Sequence, residues 1–341
     1  MKKTTPKIIE KWLKENTHHN DEFSDIKKLV KLKQKNNDTI SIVLPTLNEE
    51  KTIGKIVKII KEKLVKEYPL IDEIIVIDSG SEDNTRINAE KAGAKFFRAD
   101  VYSDLSNTYK SGKGTNLWTS LYLSNSDIIC WIDADIHNFD IKFVYGLIGP
   151  LLTNKKLAFS KGFYKRPIKR DNNNKMELIS EEGGRVTELC FRPLINLFFP
   201  ELTGFIQPLS GEYAGRRHAL EKIPFYSGYN VETGILINLV EKFGLNNIVQ
   251  VDLDLRIHNN QPLINLNKMA NAITKTIIKE AKKRKRTPNL KEPHYYRPHS
   301  VLGQANFEEI LINEIEFPPI ITTERYKKKQ KSSKNLNTPS T

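Results

Sequence analysis

From Thr39 the chain alternates short apolar runs with longer amphipathic ones. "TISIVLPTLN" is rich in β-branched residues and ends at Pro45 and Asn48, so it reads as a strand. "EEKTIGKIVKIIKEKLVKEY" follows, with Ile53, Ile56, Val57, Ile60 and Leu64 at helical spacing. "DEIIVIDSGSEDNT" repeats the plan with an apolar strand, a turn rich in Ser, Gly and Asp, and a helix from about residue 85 to 92. "AKFFRAD" predicts a third strand, "KGTNLWTSLYLS" a helix and "DIICWIDADI" a fourth strand. This alternation predicts an α/β protein whose mostly parallel sheet is flanked by helices.

The second half is less regular. "NNNKMELISEEGGRVTELCFRPLINLFFPEL" joins a polar segment and a glycine pair to an apolar helix, and "QPLSGEYAGRRHAL" opens another stretch. "YNVETGILINLVEKFG" reads as a helix closed by Gly244. "IVQVDLDLRIHNN" alternates like a strand, and "LNKMANAITKTIIKEAKKRKR" is an amphipathic helix running into a basic cluster. No internal repeat is present.

Ligands of parallel sheets sit at the carboxyl edge of the strands. Here each strand ends in polar residues: Asn48 and Glu49, then Asp78 and Ser79, then Asp133 and Asp135. The last pair is the most telling, because two carboxylates one residue apart raise each other's cost of ionisation. A cation is expected there. Mg²⁺ and Mn²⁺ prefer oxygen ligands and bridge substrate phosphates, although Asp-x-Asp also occurs in ordinary turns.

A chain of 341 residues can bury a substantial core. The net charge of +13 is concentrated at the ends: residues 1–35 carry a surplus of five positive charges, residues 279–341 a surplus of seven, and everything between only one. The runs "KKRKR" and "KKKQK" read as solvated tails, with RNA or anionic-lipid contact as the minor alternative. A neutral middle argues against a nucleic-acid enzyme. Cys130 and Cys190 have neither metal-ligand spacing nor a disulfide pattern. No apolar run reaches the length of a membrane span, and the start lacks a signal-peptide core, so a cytoplasmic location is expected.

"VLPTLNEEKTIG", "IVIDSGSEDNT" and "WIDADI", in that order, resemble nucleotide-sugar glycosyltransferases of the GT-A fold. "GKGTNLW", "FYKRP", "GGRVTEL", "QPLSGEYAGRR", "GYNVETGILI" and "RIHNNQPL" narrow the resemblance, over roughly residues 39–280, to the glucosyl-3-phosphoglycerate synthase family. The resemblance implies transfer of glucose from UDP-glucose or another glucose nucleotide to 3-phosphoglycerate, with retention, by a homodimer needing Mg²⁺ or Mn²⁺. It also implies one GT-A domain, with a donor half at 39–150 and an acceptor half at 151–280. Residues 1–38 are expected to form a helical N-terminal segment and 281–341 a basic, partly disordered extension.

Carried over by position, the resemblance sets the donor against Pro45, Thr46, Leu47, Glu49, Ser79, Asp133 and Ala134, while capping and strand termination remain the plain alternatives for the first two turns. Lys113 becomes the donor-binding lysine; its loop is no nucleotide P-loop, since the longer glycine pattern is missing. Asp135 and His258 become the metal ligands. Glu232 meets the sugar hydroxyls, with Leu209, Ser210 and Gly211 facing the sugar from the other side and Tyr229 and Arg256 nearby. Gly184, Arg185, Thr187 and Asn260 form the acceptor set, and the first three suit an anion at a helix start. Asp135, Glu232 and Lys113 are the expected catalytic residues.

Overall fold

The apolar runs pair into one sheet of eight strands. The computed structural model describes residues 6–105, 110–166, 168–172, 175–179, 184–258, 261–288, 294–296 and 310–312. The strands are β1 (Thr17–His19), β2 (Ile40–Thr46), β3 (Glu73–Asp78), β4 (Lys95–Arg98), β5 (Ile128–Trp131), β6 (Phe159–Lys165), β7 (Ile168–Asn172), β8 (Lys175–Ile179), β9 (Tyr213–Arg216), β10 (Ile248–Leu255), β11 (His294–Tyr296) and β12 (Ile310–Ile312). The helices are α1 (Pro6–Asn16), α2 (Ile26–Asn36), α3 (Ile53–Ile60), α4 (Thr85–Ala92), α5 (Lys113–Leu123), α6 (Lys142–Thr153), α7 (Arg192–Phe198), α8 (Arg217–Leu220), α9 (Val231–Phe243) and α10 (Leu263–Lys283).

The order across the large sheet is β1-β10-β6-β9-β5-β2-β3-β4; β7 pairs with β8 and β11 with β12 outside it. Within the sheet every neighbouring pair is parallel except the two made by β9, which runs antiparallel to both β5 and β6. One reversed strand between two others restores the direction beyond it. The carboxyl ends of β2, β3, β5, β6 and β10 therefore share one edge, and β9 begins there.

Side-chain alternation divides the core between the two faces. Ile42, Leu44, Ile74, Val76, Ile128 and Cys130 pack with Leu29, Ile56 and Leu147, which belong to α2, α3 and α6. Val43, Ile75, Ile77, Ile129 and Trp131 pack with Trp12, Leu117, Ile235 and Ile273, from α1, α5, α9 and α10. Each such side chain, fully buried, stabilises the fold by roughly 1.5–3 kcal/mol. Covering on both faces explains why the strands read as nearly continuous apolar runs.

Three departures from the sequence reading have physical causes. The strand expected over "DIICWIDADI" stops at Trp131, and the acidic pair lies in the loop beyond, drawn toward cations described below. The amino-terminal segment also contributes a strand: β1 pairs with β10, and the Trp12 indole N–H donates to the carbonyls of Leu245 and Ile248 at 2.9 and 3.0 Å. Finally, the run at 282–286 begins inside α10 and is not wholly a solvated tail. Arg284 pairs with Glu241 and Glu280, and Arg286 pairs with Glu201 at 2.6 Å, so well-placed carboxylates fold the end of the helix onto the body. Among the described residues, no helix is long and apolar enough to cross a membrane.

Candidate active site

At the ends of β2 and β3, polar side chains bond mainly to one another. Asp78 accepts the N–H groups of Gly80 and Ser81 at 2.8 and 2.7 Å and the Thr46 hydroxyl at 3.0 Å. Asn48 adopts φ +58°, donates its N–H to Ser81 Oγ at 2.7 Å and accepts the Glu82 N–H at 3.0 Å. The Asp83 carboxylate accepts N–H groups from Glu50 and Thr85. Two interlocked turns thus form one surface. On it, Thr46 is buried, Pro45 half-buried and Leu47 exposed, and Ser79 donates its N–H to the Thr46 carbonyl at 3.0 Å. Glu49 differs from these: burial pushes its carboxyl up to about 7, aided by the charges of Asp135, Asp133 and Asp83. That coupling places the end of β2 beside the end of β5.

The β5 end is a charge cluster. Lys113, the first residue of α5, sets its Nζ 2.6 Å from Asp133 Oδ1 and 2.9 Å from Glu232 Oε1. Burial opposes the charge on Lys113, but Asp133 and Glu232 outweigh it and hold its pKa above the ordinary lysine value. Burial likewise opposes the charge on Asp133, yet Lys113 and Arg256 hold that carboxyl below the usual carboxylate range. Close packing sets the lysine's position. A Cβ on Gly114 would lie 1.7 Å from the Tyr226 carbonyl oxygen, and the Thr115 N–H donates to the Ser227 carbonyl, so the start of α5 is pressed onto the loop that leads into α9. That loop also carries Tyr229, which is exposed, and Glu232 follows in the first turn of α9, buried and within 3.4 Å of the Tyr213 hydroxyl.

Around Asp133 the packing is equally close. Ala134 is buried, and a Cβ on Gly211 would lie 1.9 Å from Asp133 Oδ2. Leu209 is half-buried and Ser210 buried, both in the loop that enters β9. Arg256, just past β10, is buried; its Nη2 donates to Asp135 Oδ1 at 2.6 Å and to Asp133 Oδ2 at 3.1 Å. Its Nε lies 3.2 Å from Glu212 Oε1, close enough to pair but without hydrogen-bond alignment. Tyr164 donates its hydroxyl to Glu212 Oε2 and accepts from Arg166 Nη2 at 2.6 Å. Burial pushes the Glu212 carboxyl up against the pull of Arg256.

His258 joins this cluster. Burial, with Arg256 and Arg166 adding to it, pushes its imidazole down to about 4, while Asp135 and Asp133 pull the other way. The ring is therefore neutral near pH 7, and its Nδ1 is buried with no hydrogen-bond partner among the described residues.

On the acceptor side, Gly184 accepts the Glu188 N–H at 3.1 Å and opens the helical segment that leads to α7; Thr187 is buried there. Arg185 is exposed and donates from Nη2 to the Gln261 carbonyl at 3.3 Å. Since Gln261 follows His258 by three residues, this contact joins the expected acceptor loop to the metal-side segment. Asn260 lies outside the described residues.

A buried cation–carboxylate cluster at the carboxyl edge of a parallel sheet is suited to holding a diphosphate and its counter-ion. The profile of glycosyl transferase family 2 matches residues 41–229. The glucosyl-3-phosphoglycerate synthase of Petrotoga mobilis is 49% identical over 322 residues, 93% of this chain and 96% of that one. The chain belongs to the glucosyl-3-phosphoglycerate synthase branch of glycosyl transferase family 2. It is a glycosyltransferase with a GT-A-like fold. The glucosyl-3-phosphoglycerate synthase of Mycobacterium tuberculosis, solved with Mn²⁺, UDP-glucose and phosphoglyceric acid, superposes with TM-score 0.66 at 36% identity, covering 86% of this chain and 93% of that one. The same enzyme has been solved with Mg²⁺ and UDP. Mannosyl-3-phosphoglycerate synthase from Rubrobacter xylanophilus superposes with TM-score 0.73 at 32% identity, covering 92% and 97% of the two chains.

Sequence reasoning gave no role to Glu212, Tyr164, Arg166 or Lys161, and only a neighbourhood to Arg256. A signal was present, because "FSKGFYKR" and "SGEYAG" place charges inside strand-like apolar stretches. Interior charges seldom occur without partners.

Proposed function

We propose that the protein transfers glucose from UDP-glucose to the 2-hydroxyl of 3-phosphoglycerate, with retention at the anomeric carbon and with Mg²⁺ or Mn²⁺ bound. The carrying observation is the cluster in which Lys113 bridges Asp133 and Glu232, while neutral His258, whose Nδ1 has no hydrogen-bond partner among the described residues, feels the charges of Asp135 and Asp133.

These residues fit a divalent cation. Asp135 Oδ1 is taken by Arg256, but Oδ2 has no protein partner among the described residues. One carboxylate oxygen and one imidazole nitrogen suit Mn²⁺ and are acceptable to Mg²⁺. Among the described residues, no group of three or more His, Cys, Asp or Glu side chains is arranged to hold a metal, so diphosphate oxygens and water would fill the other positions. When bound, the cation supplies Lewis-acid stabilisation of the leaving diphosphate.

The chain's own residues supply the rest. The turns at 45–49 and 78–81 receive the uridine. Lys113 donates to the diphosphate as negative charge develops on it. Glu232, already neutralised by Lys113, accepts from sugar hydroxyls and is poorly placed to act as a nucleophile. Arg185, Thr187 and the backbone at Gly184 receive the phosphoglycerate, together with Asn260. Substitution proceeds on one face: the bond from C1 to the phosphate oxygen breaks, the bond from C1 to the acceptor's 2-oxygen forms, and the hydroxyl proton passes to the departing phosphate. Residues 39–150 form the nucleotide-sugar half and 151–280 the acceptor half, which also lends Gly211 and Glu232 to the donor's sugar. The protein works as a cytoplasmic homodimer, which light scattering would show as twice 39.3 kDa.

The test is incubation with UDP-glucose, Mg²⁺ and 3-phosphoglycerate, read by proton NMR. An α-configured glucosyl product and free UDP are expected; a β-linked product or a glycosylated Glu232 or Asp135 would overturn the one-face route. The higher TM-score to the mannosyl enzyme favours one second reading, with a mannose nucleotide as donor. A parallel incubation with GDP-mannose decides between them.

A further inference from the structure

Below the cluster lies a lysine with no part in these steps. Lys161, in β6, is 2% exposed. Its Nζ donates to the Ser210 carbonyl at 2.5 Å and sits 4.2 Å from the centroid of the Tyr213 ring. Burial pushes its pKa down to about 7, with Lys113 adding to the shift and Glu232, Glu212 and Asp133 opposing it. An ammonium with so few partners is costly to bury.

The carbonyl it holds lies at a decisive place. Ser210 is fixed twice more, through its hydroxyl to the Gly162 carbonyl and its N–H to the Gln207 carbonyl. In a trans peptide the C=O and N–H point in opposite directions. The Ser210 carbonyl, drawn toward Lys161, therefore turns the Gly211 N–H the other way. That N–H has no acceptor among the described residues, and Gly211 packs directly on Asp133.

We propose that Lys161 is a positioning residue: by holding the Ser210 carbonyl it presents the Gly211 N–H, beside Asp133, as a backbone donor to an oxygen of the bound sugar nucleotide. This rests on reading the cleft as the donor site. It gives the buried charge a purpose that core packing alone does not, since an apolar methionine fills most of the same space.

The test compares K161M with K161Q: both side chains are one atom shorter than lysine and equal in length, but only glutamine keeps an N–H donor. K161M should lose kcat by on the order of 10–100-fold while calorimetric UDP affinity stays within about threefold of wild type; K161Q should recover part of the loss. In the ligand-free protein, hydrogen exchange over residues 208–213 should rise about tenfold in K161M and less in K161Q. Wild-type kcat with unchanged exchange in K161M overturns the proposal, as does K161Q impaired as severely as K161M on both readouts. If methionine prevents folding, K161Q carries the test alone: faster exchange confined to 208–213 supports the tether, and wild-type exchange there overturns it. Exchange needs no substrate, so a wild type inactive with UDP-glucose would sink the functional reading and leave this test standing.

Discussion

The two turns after β2 and β3 and the loops after β5 and β10 are equally polar in sequence, but they use their polarity differently. In the first pair, Asp78, Asn48, Ser81 and Asp83 are bonded to nearby backbone and to one another. In the second, Asp133 and Asp135 pair with cations drawn from distant elements, and Arg256, His258 and Glu212 from the loop before β9 each keep a buried polar atom without a hydrogen-bond partner among the described residues. Among the described residues, four of the nine buried polar side-chain atoms without a hydrogen-bond partner belong to Arg166, Glu212, Arg256 and His258. Satisfied turns define a shape, whereas unsatisfied buried charge marks where a ligand is to bind. One edge of the sheet thus combines a preformed platform with a reactive cluster.

Substitutions should separate the two regions by the size and kind of effect. D135A and H258A should each lower kcat on the order of 10³-fold with little change in thermal midpoint; steady-state kinetics and calorimetry check both. K113M should cost about 10²-fold in kcat. It should also remove about 3 kcal/mol of stability, because Asp133 and Glu232 lose their shared cation; urea denaturation measures that loss. R185A should raise the acceptor KM by roughly 10-fold or more and leave kcat nearly unchanged, since Arg185 is exposed and its proposed role is to hold the acceptor.

In the platform the expected effects are structural and small. N48A should cost about 1 kcal/mol through its left-handed backbone, with kcat within about twofold of wild type. The smallest effect concerns Glu49, whose folded carboxyl is pushed up to about 7 from an ordinary value of 4.5. Between those values the folded state holds a proton that the unfolded chain has released, so wild-type stability falls as pH rises through this window. E49Q removes that loss. Denaturation midpoints should favour E49Q at pH 8 and converge with wild type below pH 4.5.

Much of this architecture was legible in advance because the β2–α3, β3–α4 and α5–β5 units follow clear periodicity. The second half was harder to read for identifiable reasons. Strand β9 is only four residues long and antiparallel, so "EYAGRR" carries no alternation long enough to register. Strand β6 contains Lys161, whose interior position becomes sensible only when the Ser210 carbonyl is brought to it from 49 residues away. Arg256 and Glu212 were obscured in the same manner, each paired across the fold. The basic run at 282–286 suggested solvent because Glu201 and Glu241, distant in sequence, gave no sign that they would receive its arginines.

The most direct measurement is a Mn²⁺ titration followed by electron paramagnetic resonance, with and without UDP. The account predicts that wild-type protein takes up Mn²⁺ when UDP is present, and that D135A and H258A each bind it at least about tenfold more weakly. Wild-type Mn²⁺ affinity in both variants would contradict it.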